Sequence, residues 1–230
     1  MSSPLHASYY ADHALQRDVV IAQNVRVARD TYRLRFECPP IARRALPGQF
    51  LMLRLAGVND PLLGRALALY DTVWTPDGSP WGIDVVYLAK GKFTRRLAEC
   101  LPGAPLTVWG PLGNGFPAQS AEHLIMVAGG IGQTPFVALA AEHLGRRAYG
   151  DPPRSVTAAR KVTLCYGARS AEYLAGVEDF QRLGIEVRIS TDDGSRGHHG
   201  LVTDVLSQVL ETTSPRSRIV TCGPEVMLEA

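Results

Sequence analysis

Hydrophobic positions divide the chain into two parts with different periodicities. Between residues 18 and 112, short runs rich in β-branched and aromatic residues are separated by Pro and Gly turn signals. Alternation of polar and apolar positions is clearest in residues 32–36. We predict one short helix over residues 94–100 and strands over residues 19–27, 32–36, 50–55, 67–74 and 83–88. Short strands punctuated in this way are typical of a small antiparallel barrel.

From residue 122 onward, each short apolar run is followed by a helical pattern. The runs are residues 123–128, 162–166, 187–190 and 219–221, and the helices are predicted over residues 134–144, 171–183, 202–210 and from 225. Alternating strands and helices indicate a parallel sheet with helices on both faces. We therefore predict two domains: an antiparallel β-barrel at 18–118, after an N-terminal extension at 1–17, and an α/β doubly wound parallel-sheet domain at 119–230.

Composition and charge exclude several classes of protein. Lys and Arg total 24 and Asp and Glu total 22, so a net charge of +2 leaves no basic excess for nucleic-acid binding. No apolar stretch approaches the ~20 residues of a membrane span, and the N-terminus lacks the apolar core of a secretory signal. The four cysteines are scattered and form no Cys-x-x-Cys pair, which argues against a local metal site. We expect a chain without metal ligands in a reducing, cytoplasmic compartment.

A glycine-rich segment follows the first strand of the second part. Residues 128–135 read Ala-Gly-Gly-Ile-Gly-Gln-Thr-Pro and open the predicted helix. Glycines allow a ligand to approach the backbone, and a helix N-terminus favours an anion. Thr134 can cap this helix. A tight strand-to-helix turn without a ligand is the alternative, and a glycine-rich loop alone does not decide between them.

Three further polar or Gly-containing loops follow the other predicted strands, at residues 166–169, 191–195 and 221–224. The carboxyl ends of parallel strands share one edge, so four such loops predict a binding crevice there. Asp192 and Asp193 would accept hydrogen bonds from ribose hydroxyls and repel a 2′-phosphate, which favours NAD over NADP. An ordinary turn at Asp193-Gly194 is the alternative.

An ordered set of motifs gives the chain a resemblance to a known family. Residues 47–50 read Pro-Gly-Gln-Phe, residues 64–68 Gly-Arg-Ala-Leu-Ala, residues 91–94 Gly-Lys-Phe-Thr and residues 110–116 Gly-Pro-Leu-Gly-Asn-Gly-Phe. The segments at 129–132, 193–195 and 222–224 follow in order. Over residues 17–230 the chain resembles the ferredoxin–NADP reductase superfamily, and within it the electron-transfer subunits of dihydroorotate dehydrogenase type B. The resemblance implies the two-domain fold already predicted.

The resemblance also implies site residues. Arg65, Gly91, Lys92 and Thr94 would hold the pyrophosphate of FAD. The flavin ring would lie along Ala66, Leu67, Ala68, Tyr87, Leu88 and Ala89, and NADH would pack on Gly129, Gly130, Ile131, Gly132, Thr134, Asp193, Gly223 and Pro224, with Cys222 beside the nicotinamide as the candidate catalytic residue. The alternatives are a solvated Arg65, a Tyr87 that is an ordinary strand aromatic and a Cys222 that is a buried structural cysteine.

Two positions depart from the family pattern. Ala68 stands where the family has a hydroxyl residue that reaches flavin N5, and Phe93 replaces a glycine, so its ring would crowd the pyrophosphate or alter the loop. The resemblance further implies four cysteine ligands of a [2Fe–2S] cluster beyond the Cys-Gly-Pro segment. The sequence ends at Ala230, six residues past Pro224. We expect either a truncated chain or a protein that lost the cluster.

The resemblance implies an oxidoreductase subunit in pyrimidine biosynthesis. It would pass electrons between NAD(H) and an FMN-containing dihydroorotate dehydrogenase catalytic subunit, through FAD and a [2Fe–2S] cluster, in a heterotetramer. One alternative is a flavin reductase that serves a hydrogenase or a ferredoxin. A second alternative, of another class, is a degenerate binding subunit without flavin.

Overall fold

The computed structural model describes residues 14–213 and 216–230. The first part of the chain forms the predicted antiparallel barrel, closed in the order β1-β2-β5-β4-β3-β6. Its strands are β1 (Leu15–Ala28), β2 (Thr31–Glu37), β3 (Phe50–Leu55), β4 (Arg65–Trp74), β5 (Pro80–Leu88) and β6 (Pro105–Leu112). The last strand has no counterpart among the predicted runs, because Pro105, Gly110 and Pro111 interrupt its apolar pattern. Most of the predicted N-terminal extension lies outside the described residues.

Two short helices accompany the barrel, α1 (Pro39–Ala42) and α2 (Lys92–Ala98). Alternating inward residues of all six strands fill the barrel with apolar side chains, among them Leu34, Leu53 and Val85. Helix α2 adds Phe93 and Leu97 to this core. The helix begins two residues before the predicted position.

The second part forms a five-stranded parallel sheet in the order β10-β9-β8-β7-β11. The strands are β7 (His123–Gly129), β8 (Lys161–Ala168), β9 (Glu186–Thr191), β10 (His198–His199) and β11 (Ser217–Cys222). The helices are α3 (Phe136–His143), α4 (Val177–Arg182), α5 (Val202–Leu210) and α6 (Glu225–Leu228). This confirms the predicted doubly wound class. Strand order reverses at β7, so the ends of β7 and β11 flank the switch point, where such folds bind ligands.

The helix predicted over residues 171–183 is wrong in extent. The chain forms a single 3-10 turn at Ala171–Tyr173, runs extended through Leu174, and begins α4 only at Val177. Gly176 at the helix N-terminus has a φ of +74°, a left-handed conformation that ends any continuous helix. The break frees Leu174 and Ala175 to pack as a buried connection.

Part of the barrel packs into the apolar core of the α/β part. Tyr70 and Val86 are barrel residues, yet both belong to the cluster built on Met126, Phe136 and Phe180 of the second part. Among the described residues, no helix is long and apolar enough to cross a membrane.

Candidate functional site

A cleft of about 650 Å³ lies between the barrel and the carboxyl ends of the parallel strands. Its α/β wall includes the turn after β7 and the turn after β11, at the switch point of the sheet, and residues that follow β8. Of the predicted nucleotide residues, this wall contains Gly129, Gly130, Ile131, Gly132, Cys222, Gly223 and Pro224. The structure therefore brings these predicted residues together on one wall of a cleft.

The glycines of this wall have two different roles. A Cβ on Gly132 would overlap the carbonyl oxygen of Cys222, and one on Gly223 would lie 2.8 Å from the sulfur of Met227. These two glycines let the β7 and β11 turns touch. Gly130 instead has a φ of +55°, and a Cβ added there would meet no atom within 4 Å, so its backbone is open to the cleft. An open glycine after a strand suits the close approach of a phosphate.

Cys222 is half-buried in the cleft and is a free thiol. Burial raises the pKa of this thiol, so the protonated form predominates at neutral pH. A protonated thiol is a poor nucleophile, so the environment fits a cysteine that packs against a ligand.

The barrel contributes the opposite wall of the cleft. Leu88 and Ala89 at the end of β5, which the resemblance places beside the flavin, line it together with Lys90. Tyr87 points the other way: its ring is buried in the barrel, stacks on Tyr32 with 5.8 Å between ring centroids, and its hydroxyl donates to Asn24. Tyr87 is 1% exposed and is not among the residues that line the cleft, so its ring is part of the barrel core.

The flavin-motif residues of β4 lie outside the residues that line this cleft. Arg65 and Ala66 are exposed at the start of the strand, and Leu67 and Ala68 are half-buried beside β3. The Arg65 guanidinium donates to the Gly64 carbonyl oxygen at 3.2 Å. This segment forms an open strand edge continuous with the barrel.

The Gly-Lys-Phe-Thr loop is an ordered helix start. Thr94 Oγ1 accepts hydrogen bonds from the amides of Lys90 and Gly91, each at 3.1 Å. Lys92 Nζ pairs with Asp60 at 2.5 Å, which ties the loop before β4 to α2. Phe93 is 1% exposed and lies in the barrel core. The expectation that its ring crowds the pyrophosphate is wrong, because helix α2 turns the ring inward.

Two residues that were predicted to bind the nucleotide do not line the cleft. Thr134 is buried behind the glycine turn, where its amide donates to the Ile131 carbonyl oxygen. Asp193 is exposed, and its carboxylate accepts from the Ser195 amide at 2.9 Å and from the Ser195 hydroxyl. These bonds lower the pKa of Asp193 and match the turn alternative. The carboxylates proposed to select NAD thus lie outside the cleft.

Sequence reasoning missed a charged and an aromatic residue of the cleft. Arg95 follows the Gly-Lys-Phe-Thr motif on α2, whereas Arg169, which follows β8, belongs to the loop at residues 166–169 that was predicted to border the crevice. Tyr173 lines the cleft from the 3-10 turn, and the Arg29 guanidinium lies 5.3 Å from the centre of its ring. Arg95 directly follows the Gly-Lys-Phe-Thr motif, so its position next to that motif could have identified it. Tyr173 could not be identified from the sequence, because it lay within a predicted helix.

Two family motifs pack against each other away from the cleft. The Phe116 amide donates to the Pro47 carbonyl oxygen at 2.8 Å, and the Gln49 side chain donates to the Gly113 carbonyl oxygen at 2.8 Å. A Cβ on Gly48 would lie 2.7 Å from the Phe116 ring. The Pro-Gly-Gln-Phe and Gly-Pro-Leu-Gly-Asn-Gly-Phe segments therefore form one structural unit that joins the barrel to the α/β part.

Comparisons with known proteins agree with this architecture. Residues 126–230 match the oxidoreductase NAD-binding domain family. Among solved structures, an NADH-dependent reduced ferredoxin-NADP oxidoreductase superposes with a TM-score of 0.72 at 24% identity, covering 92% of this chain and 69% of that chain. The cytochrome b5 reductase domain of Ulva prolifera nitrate reductase superposes with a TM-score of 0.66 at 18% identity, covering 99% and 92%. These likenesses establish the fold.

Similarity to curated relatives identifies the family more narrowly than the solved structures do. The dihydroorotate dehydrogenase B (NAD(+)) electron transfer subunit of Shouchella clausii is 35% identical over 94% of this chain and 76% of its own length. The same subunit from Desulforamulus reducens is 33% identical over 88% of this chain and 71% of its own length. Because identity of this level extends through the barrel, the cleft and the parallel sheet, the chain belongs to the family of dihydroorotate dehydrogenase B electron transfer subunits.

Proposed function

We propose that this chain passes electrons between NAD(H), bound in the cleft, and FAD, bound along the barrel, on behalf of a dihydroorotate dehydrogenase catalytic subunit. One observation supports this above the others: the cleft brings Leu88 and Ala89 at the end of β5 opposite Gly130 and Cys222 of the nucleotide wall. A dinucleotide bound on the glycine turn would contact a flavin ring held along β4 and β5.

The residues present fit FAD. The Arg65 guanidinium is exposed, and its five donors in a planar fork match phosphate oxygens. The Gly91 position is open, since the nearest atom to a Cβ there is Thr94 Oγ1 at 4.0 Å. The first amides of α2 have no acceptor within their own helix. Leu67 and Ala68 supply an apolar edge; Ala68 provides no hydroxyl for the ring.

The residues of the cleft also have separate roles in the proposed transfer. Bound FAD supplies the acceptor for a hydride, so the protein needs no side-chain acid or base for that transfer. Gly130 allows close approach of the nucleotide, and Lys90, Arg95 and Arg169 place positive charge around its phosphates. Cys222, protonated, packs at the switch point and excludes water there. The chain thus contributes position and electrostatics.

The family supports the wider assignment. We propose an FMN-containing catalytic subunit as the partner, a heterotetramer as the assembly, pyrimidine biosynthesis as the pathway and the cytoplasm as the location. The curated relatives are named as electron transfer subunits of dihydroorotate dehydrogenase B. The four cysteines are free thiols, as expected in a reducing compartment. A [2Fe–2S] cluster belongs to this proposal only where further chain supplies its cysteines.

The visible absorption spectrum tests the flavin and the nucleotide together. The purified chain, supplied with FAD, is expected to show oxidised flavin bands that bleach when NADH is added. A chain that stays colourless after incubation with FAD overturns the flavin assignment and favours the binding-subunit alternative. Co-purification with a dihydroorotate dehydrogenase catalytic chain tests the partner; co-purification with a hydrogenase instead would contradict it.

A further inference from the structure

A β-bulge follows the flavin-motif segment of β4. In the pairing of β4 with β5, Leu69 lies opposite Val85 and Asp71 lies opposite Asp84, so Tyr70 is the extra residue. Leu69 points into the barrel core, while Tyr70 joins the core of the α/β part. A bulge re-aims a side chain in this way. The strand that would border the flavin is thereby anchored in the nucleotide-binding half.

The Tyr70 hydroxyl is held by one carboxylate. It donates to Asp179 on α4 at 2.6 Å, and the Arg33 guanidinium of β2 pairs with the same Asp179 oxygen. That guanidinium also lies 5.1 Å from the centre of the Tyr70 ring. Tyr70 is 2% exposed and the Asp179 side chain 13% exposed, so the contacts are shielded from competing water.

The same contact reaches the cleft wall. Gly176, which starts α4, comes so close to the Tyr70 hydroxyl that a Cβ there would overlap it. Ala175, the preceding residue, lines the cleft. The chain from Leu69 through Tyr70 to Gly176 therefore links the flavin-side strand with the nucleotide-side wall by direct contacts.

We propose that Asp179 is a positioning residue that, through Tyr70, sets the spacing between the flavin edge on β4 and the nicotinamide site at the switch point. The inference rests on the proposed function, because it concerns the geometry of that transfer. Hydride transfer depends steeply on the separation of the reacting atoms, so a small shift of β4 reduces the rate without removing either binding site.

The test compares Tyr70→Phe and Asp179→Asn with wild type and with Glu178→Gln, a control at an exposed neighbour on α4. Each full chain is loaded with FAD and mixed with NADH in a stopped-flow instrument. Both variants are expected to lower the limiting rate of flavin bleaching by roughly tenfold. The NADH concentration at half-maximal rate and the affinity for FAD, measured by fluorescence quenching on the apoprotein, are expected to stay within about twofold.

A second readout is independent of turnover. Saturating NAD+ perturbs the visible absorption of a flavin that it contacts, and this difference spectrum is expected to shrink in both variants while the control matches wild type. An unchanged limiting rate overturns the inference, and so does a rate loss matched by lost FAD affinity or by unfolding at the assay temperature. If wild type binds no FAD or does not bleach, the proposed function itself fails, which is a distinguishable result.

Discussion

Gly132 is the residue that most limits substitution in the nucleotide wall. A Cβ at this position would lie 2.6 Å from the carbonyl carbon of Cys222, and backbone cannot move aside cheaply. We predict that Gly132→Ala lowers the free energy of unfolding by about 2 kcal/mol or more, since overpacking at a rigid contact is destabilising. Thermal unfolding of the FAD-loaded chain measures this loss.

Gly130→Ala is the matched control for that prediction. Its Cβ meets no atom within 4 Å, so only the positive φ opposes the substitution, at about 1 kcal/mol. The variant is expected to lose about half as much stability as Gly132→Ala yet to bind NADH more weakly, because the methyl group lies where the nucleotide approaches. Equal destabilisation by the two alanines would contradict the packing argument.

For single residues, the sequence predicted which positions need glycine better than it predicted which way the side chains point. Glycines indicate positions where two backbones approach closely, so the close contacts at Gly129, Gly132 and Gly223 were predictable without a structure. Side-chain direction depends on bulges and helix starts that periodicity does not encode: Phe93 and Tyr87 both turn into the barrel, and Tyr70 turns out of it. For Asp193 the turn alternative matches the structure, because its carboxylate bonds to Ser195 within the same turn.

For whole strands and helices, the accuracy of the prediction depended on the pattern of apolar residues. The apolar runs of β7 and β8 predicted the parallel sheet because strands buried on both faces are continuously hydrophobic. Strand β6 and the break before α4 were not predicted, because the effect of proline and glycine at those points depends on tertiary contacts. Gly176 is the clearest case: its left-handed backbone is needed where the Tyr70 hydroxyl approaches.

A charge cluster at the start of β9 gives a pH-dependent prediction for these elements. Glu186 on β9 pairs with Lys161 on β8 at 2.9 Å and with Arg188 at 2.6 Å. The bond with Lys161, followed by that with Arg188, lowers the Glu186 pKa from 4.5 to about 2. A lowered carboxyl pKa stabilises the fold above the unfolded-state value, and this stability is lost as the pH falls toward 2.

We therefore predict that Glu186→Gln lowers the free energy of unfolding by about 1 kcal/mol at pH 7, a modest value because the pair is solvent-screened. The difference from wild type is expected to narrow below pH 4.5 and to vanish near pH 2. Denaturant unfolding at a series of pH values measures it. A difference independent of pH would show that the carboxylate charge is not its source.

The molecule as a whole depends on a second charged contact between its halves. Asp71 of β4 pairs with Arg147, from the loop after α3, and accepts a hydrogen bond from the Tyr149 hydroxyl at 2.8 Å. Arg147 also donates to the Thr72 carbonyl oxygen at 2.9 Å. Burial raises the pKa of Asp71 in spite of Arg147, so this carboxylate depends on its guanidinium partner to stay charged.

Arg147→Met removes that partner and leaves the carboxylate buried. We predict a loss of about 2 kcal/mol in the free energy of unfolding at pH 7.5, below the full value for a buried pair because the Arg147 side chain is 35% exposed. Without the guanidinium the Asp71 pKa rises further. A raised carboxyl pKa means that the folded state binds the extra proton, so the variant loses stability as the pH increases.

The pH dependence separates this account from a simple loss of packing. The deficit of Arg147→Met relative to wild type is expected to be smaller at pH 4.5 than at pH 7.5, because a protonated Asp71 no longer needs a cation. Arg146→Gln, at the exposed neighbouring position, is the control and is expected to unfold like wild type at both pH values. A deficit of equal size at both would assign the effect to the methylene contacts of Arg147, and the barrel and the α/β part would then be joined by packing rather than by charge.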